Sequence, residues 1–393
     1  MARKKKTEGE RFFWDRTALL KQNADINIVI SERDVGKSYQ MMYMILSDYW
    51  NERKNGAPSS AIFVRRYADD LKNAGVTTMH NCMISDFYGR NAVKEITGGE
   101  FDSIRYYRGE WTLIQVDSET GLVKKDLQPF LTATAVNLCG RTKGAQFPNL
   151  KYIWFEEFVE VTGKSYLPRE FALWSQMLKT FIRGKDDVKL FLTGNRIDWD
   201  CPYFENYGIQ QADKLPMDTI RCYKIGRTGH KLAIENIRKP ENERVETYGN
   251  NFYWAFDNPE MNAINGEWDV DYYPILSEVY DYKDVCGRFF VIYKGRTVQA
   301  DIVNTDTGAF IYFHTDLDPL YPMDEEDDLI YTNEPSIRPN YRRGFSPALS
   351  DGEEVIRSLM IAEKVFYSDN TTGDVISKFV RWSQKQKLGA IHS

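Results

Sequence analysis

The sequence predicts an α/β protein in which helices flank a mostly parallel β-sheet. Apolar stretches of strand length alternate with stretches of helical spacing up to about residue 195. The first of them, residues 28–30, runs into a polar loop that closes on Gly36-Lys37-Ser38, and the helix-favouring stretch 39–46 follows. A strand, a loop and a helix in that order are what a phosphate-binding loop requires.

The loop from residue 31 to residue 38 has the composition of such a phosphate-binding loop. Its backbone N–H groups and the N-terminus of the following helix would hold the β- and γ-phosphates of a nucleotide. Lys37 would supply a positive charge, the Ser38 hydroxyl would bind Mg²⁺, and Gly36 would let the backbone approach the phosphates. The first glycine of the G-x-x-x-x-G-K-[ST] pattern is Ser31 here, and the alternative is a surface turn that only happens to end in Gly-Lys-Ser. The predicted nucleotide-binding residues are Ser31, Glu32, Arg33, Asp34, Val35, Gly36, Lys37, Ser38 and Tyr39.

A second apolar stretch, residues 151–155, ends in two adjacent carboxylates and has the form of a Walker B segment. Glu156 would hold Mg²⁺, and Glu157 would polarise the attacking water. Successive side chains of a strand face opposite ways, so the end of this strand must twist for both carboxylates to serve. Asn195 follows the apolar stretch 188–192, where its amide could hydrogen-bond the γ-phosphate or the attacking water. Together these motifs predict a P-loop NTPase domain of the ASCE type over residues 1–230, with ATP and Mg²⁺ as cofactors.

Basic residues of the first half are candidates for contacts with a polyanion. Residues 1–200 hold 30 Lys and Arg against 26 Asp and Glu, whereas the remainder holds 21 against 31. One arginine pair follows the apolar stretch 61–64, at the strand end where ligands of parallel sheets gather. The stretch 101–116 alternates around Arg108-Gly109-Glu110 and predicts a β-hairpin, and a lysine pair lies in the polar loop between it and the next strand. Solvated side chains are the alternative in both places. The candidate contacts with DNA are Arg65, Arg66, Lys124, Lys125 and Arg141.

Composition narrows the class of protein. Hydrophobic residues make up 42% of the 393 residues and aromatic residues 14%, which is typical of a folded chain with room for two domains. The 5 cysteines are widely spaced, which indicates a reducing cytoplasm rather than a disulfide framework or a zinc site. The basic N-terminus has no apolar stretch behind it, and no run reaches the length of a membrane span, so we expect a soluble protein without a signal peptide.

The second half predicts a smaller α+β domain. Residues 231–273 are rich in polar residues and are interpreted as a linker or lid. Residues 274–393 are then expected to form the C-terminal domain. The stretches 288–301 and 309–314 predict antiparallel strands, and two predicted helices, over residues 352–367 and 374–384, close the chain.

Taken in order, these segments resemble the DNA-packaging ATPases of φ29-type phages, a compact branch of the large-terminase superfamily. The matching residues are Asp34-Val35-Gly36-Lys37-Ser38, Val64-Arg65-Arg66-Tyr67, Lys143, Phe147-Pro148-Asn149, Phe155-Glu156-Glu157-Phe158, Phe181-Ile182-Arg183, Asn195 and Pro202-Tyr203-Phe204. The C-terminal part resembles the small RNase H-like domain of that family more loosely.

This resemblance implies a function. It implies a homo-oligomeric ring, expected to be a pentamer, that acts in the host cytoplasm at the portal vertex of an empty procapsid and is absent from the mature virion. The ring would drive double-stranded DNA inward with ATP, and a structural RNA is a further candidate partner. Arg183 matches the arginine finger that reaches into the neighbouring subunit's site, and Lys143 matches a basic residue near the subunit boundary or DNA. The catalytic residues expected on this basis are Lys37, Glu157 and Arg183. Ser31 in place of a glycine and Glu156 in place of the usual aspartate are departures from the family pattern.

Three other functions are alternatives to a DNA-packaging ATPase. The first is a terminase with an active C-terminal nuclease, which would need acids clustered around paired metal ions, one of them on the opening strand. The stretch 288–293 carries no acid, and the acids available elsewhere are scattered, so we interpret the C-terminal domain as vestigial. Those acids are Asp301, Asp316, Asp318 and Asp374. The second is another P-loop DNA translocase or helicase, whose expected further motifs are missing here, and the third is a non-enzymatic capsid-binding protein.

Overall fold

A computed structural model of the chain shows two compact units, Met1–Phe256 and Asp257–Ser393, which are described separately. The residues that the structure describes are 13–32, 35–72, 79–80, 82–84, 90–117, 119–141, 146–160, 166–195, 200–209, 212, 215–226, 229–238, 273–276, 280–317, 322–345 and 350–390.

The bounds of ten strands and five α-helices are described in the first unit. The strands are β1 Ile26–Ser31, β2 Ser60–Arg65, β3 Ser103–Tyr107, β4 Glu110–Val116, β5 Val123–Lys125, β6 Leu131–Ala135, β7 Leu150–Glu156, β8 Lys189–Gly194, β9 Thr219–Ile225 and β10 His230–Ile237. The helices are α1 Thr17–Leu20, α2 Lys37–Lys54, α3 Ala92–Thr97, α4 Glu170–Ile182 and α5 Pro202–Asn206.

All ten strands form one sheet, and its central part is parallel. The order is β3-β4-β6-β2-β7-β8-β1-β10-β9, with β5 paired to β4. The strands from β6 to β10 in this order are all parallel, whereas β3, β4, β5 and β9 are antiparallel to their neighbours. The predicted mostly parallel α/β sheet is therefore confirmed. One strand, β8, separates β1, which leads into the predicted phosphate loop, from β7, which ends in the paired carboxylates.

Both faces of this sheet are buried under apolar side chains, as expected of parallel strands. Alternate residues of β7 supply the two faces: Trp154 belongs to the core beneath α2, and Phe155 packs against Trp174 of α4 with ring centroids 5.2 Å apart. Because each fully buried large side chain contributes about 1.5–3 kcal/mol, the central strands are held firmly and their carboxyl ends are fixed relative to one another.

The predicted start of the linker at residue 231 is wrong. Strand β10 occupies residues 230–237 and pairs in parallel with β1 over residues 232–237. Its polar residues led to the prediction of a linker, but they form buried hydrogen bonds. The Trp14 indole donates to Glu235 at 2.9 Å, and Asn236 donates to the Leu215 carbonyl at 2.8 Å. The rest of the predicted linker, apart from Arg238 and Tyr273, lies outside the described residues.

The second unit contains a six-stranded sheet and two helices among its described residues. Its strands are β11 Val285–Tyr293, β12 Arg296–Thr305, β13 Gly308–His314, β14 Ile330–Thr332, β15 Tyr341–Arg343 and β16 Val365–Tyr367, and its helices are α6 Asp351–Ile361 and α7 Asn370–Ala390. The sheet order is β15-β14-β11-β12-β13-β16, in which β11, β12 and β13 form an antiparallel meander and the three short strands pair in parallel. None of the described helices of either unit is long and apolar enough to cross a bilayer.

Candidate nucleotide site

The predicted phosphate loop lies at the carboxyl end of β1, where the buried strand stops at Ser31 and α2 begins at Lys37. Gly36 immediately precedes the helix and has φ +76°, a left-handed conformation that favours glycine. A Cβ atom at Gly36 would also overlap the ring of Phe13, so this position excludes larger residues for two independent reasons.

Lys37 is buried, and its ammonium group donates to three oxygens. These are Ser31 Oγ at 2.5 Å, the Glu32 carbonyl at 3.2 Å and Asn195 Oδ1 at 2.8 Å. Ser31 thus replaces the usual glycine with a hydroxyl that helps to hold the lysine. Asn195 follows β8, so the predicted amide and the predicted lysine meet across two adjacent strand ends.

Ser38 and Glu156 meet as the sequence predicts for a magnesium site. The Ser38 hydroxyl donates to Glu156 Oε1, and Arg65 Nη1 donates to the other carboxylate oxygen at 2.8 Å. Burial raises the pKa of the Glu156 carboxyl above its ordinary value, and the Arg65 guanidinium and the Ser38 hydroxyl oppose this shift.

Glu157 reaches the same site because the chain leaves the strand conformation at that residue. Its φ is +54°, a left-handed conformation that is uncommon for any residue except glycine. The turn brings its carboxylate beside that of Glu156, where Arg65 Nη2 donates to it at 2.6 Å. The side chain of Glu157 is 54% exposed, whereas that of Glu156 is 13% exposed. The twist that the two adjacent carboxylates require is therefore present.

These groups fit Mg²⁺ and a nucleoside triphosphate in chemical type. A hydroxyl and a carboxylate oxygen in contact form the oxygen pair that Mg²⁺ prefers. A buried ammonium held by three neutral oxygens is suited to exchange them for phosphate oxygens. When bound, Mg²⁺-ATP would supply the transferable phosphoryl group and the metal's positive charge.

Other predicted nucleotide-site residues support the loop from behind. The Val35 carbonyl accepts the backbone N–H of Trp14 at 2.8 Å, and the ring of Tyr39 lies 5.6 Å from that of Phe13. The N-terminal aromatic residues thus pack on the loop and the sheet. Arg33 and Asp34 lie outside the described residues.

Arg66, a candidate DNA contact, is buried, and this prediction is corrected. Only 5% of the residue is exposed, and its guanidinium is occupied by two backbone carbonyls and two carboxylates within the unit. Arg65 is also assigned differently, because its guanidinium bridges the Glu156 and Glu157 carboxylates. Both guanidinium groups are thus paired with carboxylates within the unit.

The remaining basic candidates lie on the surface. Lys124 and Lys125 are exposed on β5, and Lys124 Nζ lies 3.5 Å from Glu100 Oε1. Asp126, the next residue along the chain, is buried and accepts hydrogen bonds from the Tyr49 hydroxyl and from Arg53 Nε. Arg141 is exposed, and Lys143 lies outside the described residues.

Arg183 terminates α4, where it adopts a left-handed conformation with φ +38°. Its side chain is exposed, and it makes no hydrogen bond or ion pair with another described residue.

Two of the scattered acids of the second unit, Asp301 and Asp374, have different partners. Asp301 accepts from Tyr280 at 2.8 Å and from Gln299 at 3.0 Å, and it lies opposite Arg288 in the register of β11 and β12. Asp374 accepts from Tyr273 at 2.8 Å, and Asp318 lies outside the described residues. Across the described part of the chain, no group of three or more His, Cys, Asp or Glu side chains could hold a metal ion.

Comparison with known proteins gives two kinds of match. No protein-family profile matches the chain. The DNA packaging proteins of Bacillus phage PZA and Bacillus phage phi29 are each 24% identical to it over 196 residues. The match takes in 49% of this chain and 49% of each relative, so the chain spans about half the length of the curated relatives it matches.

Among solved structures, a chain of the bacteriophage Phi-29 viral genome packaging motor assembly matches with a TM-score of 0.52 and 17% identity. This match covers 95% of the present chain and 99% of that chain. The resemblance to φ29-type packaging ATPases is confirmed. At this level of identity, the likeness to the solved motor chain establishes a shared fold.

Two features of the site were not predicted from the sequence. Arg65 holds both carboxylates, and the indole of Trp14 is hydrogen-bonded to Glu235 beside the phosphate loop. The signal for Arg65 was its place at the end of an apolar strand, but its role depends on β2 lying directly beside β7.

Proposed function

We propose that this chain is a DNA-translocating ATPase that packages double-stranded viral DNA into an empty procapsid through the portal. The observation that carries the ATPase part is the convergence of Lys37, Ser38, Glu156 and Glu157 at the carboxyl ends of β1 and β7 in one parallel sheet. The strand order supports the ASCE type, because β8 lies between the loop-bearing and carboxylate-bearing strands.

In this proposal each residue has one task. Lys37 binds the phosphates and neutralises their charge, while Ser38 and Glu156 hold Mg²⁺. Glu157, the more exposed carboxylate, orients the attacking water and accepts a hydrogen bond from it. Arg65 keeps the two carboxylates together, since each of them contacts one end of its guanidinium.

The packaging part rests on the relatives, which are named DNA packaging proteins, and on the fold shared with a packaging motor chain. We propose a homo-oligomeric ring, a pentamer, at the portal vertex in the host cytoplasm, with a structural RNA as a further partner. Arg183 supports hydrolysis at a subunit interface, because its exposed guanidinium is available to a neighbouring site. A finger of this kind stabilises charge on the transferred phosphoryl group.

The C-terminal unit is proposed to be RNase H-like and without nuclease activity. A meander of three antiparallel strands extended by parallel strands supports the fold. The separate partners of Asp301 and Asp374 support the absence of a two-metal centre, which needs acids around paired ions.

The test is an ATPase assay of the full chain alone, with double-stranded DNA, and with DNA and empty procapsids. We expect turnover that rises with DNA and procapsids, and no cleavage of the DNA. Absence of turnover with all three components present would contradict the ATPase proposal. Turnover without protection of DNA inside capsids would instead favour another DNA translocase.

A further inference from the structure

Arg66 makes an unusual set of contacts immediately behind the site. Its Nη1 donates to the carbonyl oxygen of Glu157 at 3.1 Å, and its Nη2 donates to the carbonyl of Phe158 at 2.5 Å. Nη1 also lies 2.9 Å from Glu160 Oε1, and Nε contacts both carboxylate oxygens of Glu170 at 2.9 and 3.0 Å. One buried guanidinium therefore holds the main chain on which the candidate catalytic carboxylate is mounted.

We propose that Arg66 is a positioning residue that sets the backbone conformation of Glu157 and so aims its carboxylate. This inference rests on the proposed ATPase function and names a residue on which that reaction depends. Glu157 has φ +54°, a conformation that a residue with a side chain seldom keeps unless its surroundings impose it. The hydrogen bonds from Arg66 to the carbonyls of Glu157 and Phe158 impose it directly.

The Nε side of the Arg66 guanidinium is held by the Glu170 carboxylate. Glu170 is the first residue of α4 and is 2% exposed. It also accepts the Tyr203 hydroxyl at 2.6 Å and the Leu167 backbone N–H at 2.8 Å. Glu170 therefore accepts from three different residues, and Arg66 connects the chain at Glu157 to the first turn of α4.

Arginine is needed for this task because its planar fork donates in several fixed directions at once. Lysine would keep the charge, but its ammonium group could not reach carbonyls and carboxylates on opposite sides together. The two arginines thus divide the work: Arg65 contacts the carboxylates of the site, and Arg66 contacts the backbone beneath them.

The test compares Arg66→Lys with the wild-type chain. We expect kcat for ATP hydrolysis to fall about 10²-fold, the loss typical of a catalytic group displaced by about 1 Å. The affinity for a fluorescent ATP analogue should stay within about twofold, because the groups that hold Arg66 are separate from Lys37 and Ser38. Arg53→Lys is the matched control. Arg53 lies in the last turn of α2 and forms an ion pair with the buried Asp126, so the variant should keep full activity.

A double-mutant cycle separates positioning from general destabilisation. If Arg66 acts through Glu157, Arg66→Lys should slow the residual turnover of the Glu157→Gln variant little or not at all. Equal slowing in both backgrounds would overturn the proposal, as would a folded Arg66→Lys variant with normal kcat.

If Arg66→Lys does not fold, Glu170→Gln takes its place and loosens the anchor without touching the site. A lower kcat with unchanged nucleotide affinity would support the proposal, and an unchanged kcat would overturn it. A wild-type chain without ATP turnover would refute the proposed function itself, and that result is distinct from either outcome for the variants.

Discussion

Removal of the Arg183 side chain should abolish ATP turnover in the ring and leave the fold intact. The side chain is exposed, and within the described part of the chain it makes no hydrogen bond or ion pair. Its truncation should therefore change the free energy of unfolding by no more than about 0.5 kcal/mol. Loss of a trans arginine finger instead costs about 10³–10⁵ in rate, or roughly 4–7 kcal/mol of transition-state stabilisation.

The left-handed conformation of Arg183 supplies a second variant as a control. Alanine keeps the strain of φ +38°, whereas glycine relieves it. Arg183→Ala and Arg183→Gly should differ somewhat in thermal stability but lose the same amount of activity. If the less stable of the two variants also lost more ATPase activity, the backbone conformation at the end of α4, and not the guanidinium, would determine turnover.

The decisive assay mixes two inactive variants. Arg183→Ala subunits have intact nucleotide sites, and Lys37→Ala subunits have intact fingers, so mixed rings should regain turnover. With random mixing in equal amounts, about one heterologous interface in four combines an intact site with an intact finger. Turnover in the mixture no higher than in either variant alone would refute action across the interface, and Arg183 would then work within its own subunit or not at all.

Three further predictions concern the same domain. Lys37→Ala should weaken binding of a fluorescent ATP analogue, whereas Glu157→Gln should bind ATP normally and leave it uncut; normal turnover in the second variant would remove Glu157 from catalysis. Burial raises the pKa of Glu156, so this carboxylate should become protonated at a pH above the value of about 4.3 that is typical of glutamate. Mg²⁺-dependent nucleotide binding should therefore weaken as the pH falls through that range, and Glu156→Gln should lack this pH dependence. Replacing Lys124 and Lys125 with alanine should leave basal ATPase activity intact, lower DNA affinity and reduce its salt slope by about one for each lysine that binds a phosphate; an unchanged slope would place the DNA-binding surface elsewhere, with Arg141 the next to test.

The parts of the molecule that local sequence determines were predicted well. The phosphate loop depends on a buried strand, a glycine and a helix start that are contiguous in the chain, and the structure has them in that arrangement. The turn at Arg108 and Gly109, with φ of +51° and +85°, was likewise evident from the residues between two alternating stretches. Such elements carry their own conformational signals.

The errors concern residues whose environment is supplied from far along the chain. Glu235 made β10 look like a polar linker, but it is buried beneath Trp14, which lies 221 residues earlier. The predicted helix 352–367 ends at Ile361, because Glu363 with φ +55° turns the chain so that residues 365–367 can pair with β13. Composition near these positions contains no information about such partners.

The site itself depends on one strand that follows the alternation rule and one that breaks it. At the end of β2, Arg65 and Arg66 point to opposite faces of the sheet, as successive strand residues do, so one guanidinium reaches the carboxylates and the other the core. At the end of β7, Glu156 and Glu157 would also point apart, but the left-handed backbone at Glu157 brings both carboxylates to one side. Two dipeptides of the same pattern, Arg-Arg and Glu-Glu, thus have opposite outcomes. Because the two arginines point to opposite faces, they hold different parts of the turn at Glu157. Arg65 binds the two carboxylates, and Arg66 binds the backbone carbonyls, so both glutamates can lie on one side.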